Sequence, residues 1–206
     1  GNFSGAQLAT APAGNAAGIP AGALVLQSAD GGTSGELLVI LDPGTAPAYA
    51  PADAPFADGL NYNGGFGFDS SGNLIVGSAG FLTGEILAMV NTNNNDRIDP
   101  GERNVIVPAP SLGLGVSDLA VSAEDFVFFG ENSGFVKSFN LPAQLLTATA
   151  IPAVFAQTNS TYLSTLRLDV PVRSFAPGAS QPAARLYMGG YLPGFASATN
   201  LDRKSV

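Results

Sequence analysis

The sequence predicts an all-β protein, and three observations predict it. Apolar residues fall in short runs of strand formers, such as "LIV" and "EILAMV". Those runs are punctuated by 26 glycines and 15 prolines. Charged residues make up only 12% of the 206-residue chain, about half the usual share. Short strands joined by many turns account for all three. A hydrophobic content of 46% and a mean hydropathy of +0.24 argue against disorder. A globule of 20.8 kDa buries roughly 70% of its unfolded surface, so residues 1–206 are expected to form one domain.

Four segments share one form, an apolar run, a turn with Gly, and a second run closing in Asp or Asn. They are "LVLQSADGGTSGELLVILD" (24–42), "LIVGSAGFLTGEILAMVN" (74–91), "FVFFGENSGFVKSFN" (126–140) and "LYMGGYLPGFASATN" (186–200). Each reads as a β-hairpin. The shared glycines are Gly35, Gly84, Gly134 and Gly194, expected at positive φ, which a side chain would oppose. Ahead of the second hairpin, "GFGF" (65–68) suits a short strand. "DSSGN" (69–73) suits a turn in which Asp69 bonds the following backbone N–H groups. "SDLAVSAED" (117–125) and "RSFAPGASQPAAR" (173–185) occupy the same place before the third and fourth hairpins. The implied units are 1–57, 58–110, 111–165 and 166–206. A four-stranded unit of about 50 residues has the period of a β-propeller blade. The expected fold is therefore a β-propeller of about four blades, closed or part of a larger one, with a β-sandwich as the alternative. Phe126, Phe128, Phe129, Phe135 and Phe139 are expected in the core between blades. An open arc would expose strand edges to a protein partner or to self-association.

The stretch "GFGFDSSGNLIVGS" (65–78) resembles the blade signature of NHL-type and gluconolactonase-like propellers. That resemblance implies a propeller. Through the gluconolactonase-like members it also implies a divalent metal held in a central channel by Glu, Asn and Asp, with no His. The candidates are Asp69, Asp118, Glu124 and Asp125, near strand starts. Their plainer reading is structural: Asp69 and Asp118 as turn caps, Glu124-Asp125 as a hairpin turn. Glu36 and Glu85 follow the shared glycine and read as strand-edge residues. Tyr187 and Tyr191 are candidates to line a carbohydrate site, and Asn2 and Asn159 open glycosylation triplets.

The most polar stretch is "NTNNNDRIDPGE" (91–102). A twelve-residue calcium loop takes ligands at positions 1, 3, 5, 7, 9 and 12. Counted from Asn91, those are Asn91, Asn93, Asn95, Arg97 through its carbonyl, Asp99 and Glu102, with Ile98 as apolar anchor. The stretch resembles the EF-hand-like loops of dockerin-like proteins, set here between strands. It departs from them at Asn91, normally Asp, and at Asp96, normally Gly. With two anionic side-chain ligands, Ca2+ is expected to bind weakly, at about 10⁻⁴–10⁻³ M, and to act structurally. The alternative is an Asn-rich turn without metal.

The chain has no Cys and no His, which excludes disulfides, thiol nucleophiles, Cys/His zinc sites and Ser-His-Asp triads. Eight Lys and Arg against sixteen Asp and Glu give a net charge of −8, which repels nucleic acid and anionic membranes. The longest weakly polar stretch, 141–156, carries two prolines and is too short to span a bilayer as a helix. No charged-then-apolar leader stands at the start, so a signal peptide is expected to be absent or removed. Together these lead to the expectation of a secreted or cell-surface, non-catalytic, calcium-stabilised module for binding or assembly. The alternatives are a lactonase-like metal hydrolase and a structural subunit of an extracellular assembly.

Overall fold

The computed structural model describes residues 7–30, 34–40, 55–60, 63–79, 84–109, 115–131, 133–157, 162–169, 185–191 and 198–205. These form four antiparallel sheets laid out in chain order. The first holds β1 (Gln7–Thr10), β2 (Leu24–Asp30), β3 (Ser34–Ile40) and β4 (Ala57–Leu60). The second holds β5 (Asn63–Phe68), β6 (Leu74–Ala79), β7 (Gly84–Met89) and β8 (Arg103–Val107). The third holds β9 (Val116–Val121), β10 (Phe126–Glu131), β11 (Phe135–Asn140) and β12 (Ala153–Gln157). The fourth holds β13 (Tyr162–Asp169), β14 (Arg185–Tyr191) and β15 (Ala198–Ser205). Within each sheet every strand pairs with the next in sequence, so every sheet is a meander. The four hairpins marked by the apolar runs are β2–β3, β6–β7, β10–β11 and β14–β15.

Side chains alternate across a strand, and here both faces are buried. From β6, Leu74 and Val76 point into a core shared with Val25, Ala57 and Leu60 of the first sheet. Ile75 points the other way, into a core shared with Val116, Leu119, Val127 and Phe129 of the third. In β10, Val127 and Phe129 face the second sheet, and Phe128 faces the fourth beside Leu186. Strands buried on both sides lose the apolar–polar alternation of a one-sided sheet, which is why "LIV" and "FVFF" read as unbroken apolar runs. The first strands pack closely along the row, β5 against β9 and β9 against β13. Gly65, at φ +86°, allows this: a Cβ there would collide with Asp118 and the N–H of Leu119.

Several expectations need correction. A closed four-bladed propeller is not what these residues form. Among the described residues no strand pairing and no extensive packing joins the first sheet to the fourth. Of the shared glycines, Gly134 takes positive φ (+82°), whereas Gly35 and Gly84 lie inside ladders opposite Ala29 and Ala79. Gly194 lies outside the described residues. Phe128, Phe129 and Phe139 are core residues, Phe135 is half-buried and Phe126 is exposed. No α-helix occurs among the described residues, and none is long and apolar enough to cross a membrane.

Candidate functional site

The 91–102 loop leaves β7 and returns into β8, and its neck is closed by the Val90 N–H donating to the Glu102 carbonyl (2.9 Å). Asn91 is 5% exposed. Its Nδ2 donates to the Ala17 carbonyl (3.1 Å) and its Oδ1 accepts from the Asn94 N–H (2.7 Å). Asn93 Oδ1 accepts from Asn95 N–H (3.0 Å), and Asn95 Oδ1 from Arg97 N–H (3.3 Å). Such local side-chain bonds replace a strand ladder by a chain of turns. Asn94 (φ +53°) and Asp96 (φ +61°) take the two left-handed positions, a conformation that Asn and Asp tolerate best after Gly. Ile98 is 3% exposed in the first core, with its N–H on the Phe56 carbonyl (2.8 Å).

Two carboxylates organise the loop. Glu102 is 4% exposed. Its Oε1 accepts from the Thr92 N–H (2.6 Å), the Thr92 hydroxyl (2.7 Å) and the Asn93 N–H (3.0 Å), and its Oε2 from the Asp99 N–H (3.0 Å). Burial alone would raise its pKa, but the donors of Asp99, Thr92 and Asn93 outweigh burial and hold it below the usual value. Asp99 Oδ2 accepts from Asn93 Nδ2 (2.9 Å) and Asn95 Nδ2 (2.8 Å), and Oδ1 from Arg97 Nε (2.9 Å). Those two amides, helped by Arg97, also lower its pKa. The six expected calcium ligands are therefore gathered in one loop, tied to one another and to the backbone. The residues do not fit the twelve-position site. Glu102, the expected bidentate ligand, already accepts four hydrogen bonds, and Asn91 Oδ1 is turned onto a backbone N–H. Among the described residues no group of three or more His, Cys, Asp or Glu could hold a metal ion. The resemblance to an EF-hand-like calcium loop is corrected accordingly: this is a hydrogen-bonded connector whose acids act as acceptors for the chain.

The channel-metal candidates are split between the two ends of the sheets. Asp69 accepts from the N–H groups of Ser71 (2.9 Å) and Asn73 (2.8 Å) and from Asn73 Nδ2 (2.9 Å), which makes it a turn cap. Asp125, at φ +63°, accepts from the N–H and hydroxyl of Ser70, both at 2.7 Å, tying the β9–β10 turn to the β5–β6 turn. Glu124 is exposed beside it. Asp118 lies at the opposite end of β9, buried, accepting from the Gln7 side chain and its neighbour's N–H. Glu85 faces Ser78 across the ladder. The side chains of Glu36, Tyr187 and Tyr191, and all of Asn2 and Asn159, lie outside the described residues.

Sequence reasoning missed the polar ties between sheets. From the first sheet Gln7 reaches both the second and the third, with its Nε2 on Asp118 Oδ1 and its Oε1 accepting the Phe66 N–H (2.9 Å). Gln27 is buried, with Nε2 on the Gly77 carbonyl (2.9 Å). Within the third sheet, buried Glu131 pairs with half-buried Lys137 across the β10–β11 hairpin (2.5 Å). The available signal was a polar residue at an inward-facing strand position, as in "LVLQ" and "FVFFGE".

No protein-family model matches the chain, and no curated protein matches its sequence. Solved structures match the chain, among them two of low identity. Saccharomyces cerevisiae Sqt1 is 16% identical, with a TM-score of 0.50 over 89% of this chain and 42% of that one. A Trichoderma reesei carbohydrate-active enzyme of family AA12 is 13% identical, with a TM-score of 0.43 over 95% of this chain and 57% of that one. The chain thus spans less than two thirds of either protein. The similarity to Sqt1 concerns the fold alone. The resemblance to NHL-type and gluconolactonase-like propellers is overturned: the described sheets do not close, and among the described residues no group of three or more His, Cys, Asp or Glu could hold a metal ion.

Proposed function

We propose that the chain is a non-catalytic β-sheet module of a secreted or cell-surface protein, serving binding or assembly. The observation that carries this reading is the use of its placed acids. Asp69, Asp99, Glu102, Asp118, Asp125 and Glu131 each accept hydrogen bonds or an ion pair that hold a turn or join two sheets. In these positions the acids serve as acceptors for turns and for contacts between strands and sheets. The test is a screen against lactones, glycosides and phosphate esters, with and without divalent metal. No turnover is expected. Turnover abolished by Asp118→Asn would overturn the reading in favour of a hydrolase.

A second, narrower reading concerns Ca2+ at the exposed half of the 91–102 loop. What supports it is the convergence of the Asn93 and Asn95 amides on Asp99 Oδ2. Asp99 supplies an anionic oxygen of the kind Ca2+ takes, at the exposed side of the loop. Thermal melts in millimolar Ca2+ and in chelator should then differ for the native chain and coincide for Asp99→Asn. Equal melting temperatures for the native chain would remove the ion.

A further inference from the structure

The outer strands of the first two sheets are each covered by the following sheet. Just ahead of β4, the Phe56 carbonyl takes the Ile98 N–H (2.8 Å) from the 91–102 loop, and Arg103 Nη1 donates to the Asp58 carbonyl (2.8 Å). At β8, the Ile106 carbonyl takes the Ala150 N–H (2.7 Å). An edge covered like this is closed to a further strand. β4 nevertheless carries an irregularity. Its ladder pairs Ala57 with Leu37 and Leu60 with Gly35, so Asp58 and Gly59 together face the single residue Glu36. This is a β-bulge. Gly59 sits in it at φ +67°, and both of its residues are exposed.

An Asp followed by Gly is a pair that can react with itself. The backbone N of the second residue attacks the side-chain carboxyl of the first, and Gly has no Cβ to shield that N. Both groups belong to one short segment, so no encounter is needed. The fold decides whether the N–H and the carboxyl are free to meet. At the other aspartates with described side chains they are not. Ser70 N–H, after Asp69, is held by Asp125 Oδ1 (2.7 Å), and Arg97 N–H, after Asp96, by Asn95 Oδ1 (3.3 Å). Leu119 N–H, after Asp118, is held by Asp118 Oδ1 (2.9 Å), and Phe126 N–H, after Asp125, by Ser122 Oγ (3.2 Å). Asp99 is followed by Pro100, which has no N–H. Asp58 differs. The ladder assigns neither it nor Gly59 a partner. Its side chain is 73% exposed, with the carboxylate 3.6 Å from Arg103 Nη2. Arg103 also donates to the carbonyl of the Asp58–Gly59 peptide, which draws electrons from that amide and eases loss of its proton.

We propose that Asp58–Gly59 is a site of isoaspartate formation and that the change loosens the outer edge of the first sheet. The Gly59 N bonds to the Asp58 carboxyl carbon, the C–OH bond breaks, and the hydroxyl leaves as water with the amide proton. The product is a succinimide ring. Water then adds back. Opening at the side-chain carbonyl restores Asp58, whereas opening at the main-chain carbonyl leaves the chain running through the former side chain. The sequence of steps needs only water, and the mass is unchanged. The main chain is then longer by one methylene, and the carbonyl that Arg103 held has become a carboxylate outside the main chain. Both changes fall on the strand that the 91–102 loop covers.

Isoaspartate formation requires only the fold, so it stands or falls apart from the module reading. In the test the full chain is kept folded at neutral pH for several weeks, then digested with a protease that cuts ahead of Asp but not of isoaspartate. Cleavage ahead of Asp58 should fall, leaving residues 53–68 in one peptide, while cleavage ahead of Asp69 stays complete. Loss at Asp58 is expected to be faster than at Asp69 by about tenfold or more. The same incubation in denaturant, which frees the Ser70 N–H, should narrow that gap. Unaltered mass separates this change from deamidation of Asn63, which precedes Gly64. An isoaspartyl methyltransferase should label the 53–68 peptide of the aged native chain. Asp58→Glu keeps the charge but would have to close a larger ring, and its peptide should take no label. The modified fraction, separated by chromatography, should exchange its β4 amides faster than the unmodified one. Complete cleavage ahead of Asp58, equal loss at Asp69 in the folded chain, or label surviving in Asp58→Glu overturns the site. Equal exchange in the two fractions overturns the effect on the edge.

Discussion

Glu102 shows how a single acid organises a loop. Each of its four hydrogen bonds satisfies a donor from a connector that has no ladder of its own. Glu102→Gln keeps the shape but removes the charge and sets an amide N–H against backbone donors. A loss of about 1–2 kcal/mol is expected, read as a lower denaturation midpoint at pH 7. The pH dependence follows from the direction of the shift. Its folded-state pKa lies below the ordinary 4.5, so the stabilisation is complete above about pH 4.5 and is lost as pH falls through the lowered value. The gap between native chain and variant should therefore close on acidification, and a constant gap from pH 7 to pH 3 would exclude this role for the carboxylate. The sequence revealed which residues cluster here, because Asn and Asp at alternating positions are conspicuous in so apolar a chain. It did not reveal whether their oxygens face an ion or the loop's own N–H groups, since both uses favour the same residue types at the same spacing.

At the scale of elements, the strands were legible because each is a run of strand formers bounded by turn residues. Their use on two faces was less so: Leu74, Ile75 and Val76 are adjacent in sequence yet serve two different cores. The covering of edges was not legible at all, because it depends on single backbone bonds from loops some 40 residues away, such as Ala150 to Ile106. Ile98 is the exception. Its isolated apolar side chain within a polar run marks an anchor, and it is buried in the first core. Ile98→Ala should cost about 2–5 kcal/mol and, by loosening the side-chain anchor that holds its N–H on the Phe56 carbonyl, raise amide exchange along β4 and in the 91–102 loop. Exchange confined to the loop would mean that Ile98 packs there without holding the edge.

Across the whole molecule, each sheet shares its cores with its neighbours in the row. Stability therefore depends on how firmly adjacent sheets are coupled. Apolar cores set proximity but tolerate sliding, whereas a directed hydrogen bond fixes register. Gln7 is the residue that does this for three sheets at once, bonding the Phe66 N–H of the second sheet and Asp118 of the third from its place at the start of β1. Gln7→Ala leaves the buried Phe66 N–H without its acceptor, and a cost of about 1–3 kcal/mol is expected. For a chain of this size that is a fall in melting temperature of roughly 2–4 °C per kcal/mol. A double-mutant cycle with Asp118→Asn separates the tie from the local losses. A coupling of about 0.5–3 kcal/mol is expected for groups in direct contact, with one unfolding transition in the native chain. Additive effects within about 0.3–0.5 kcal/mol would instead mean that the apolar cores alone hold the row in register.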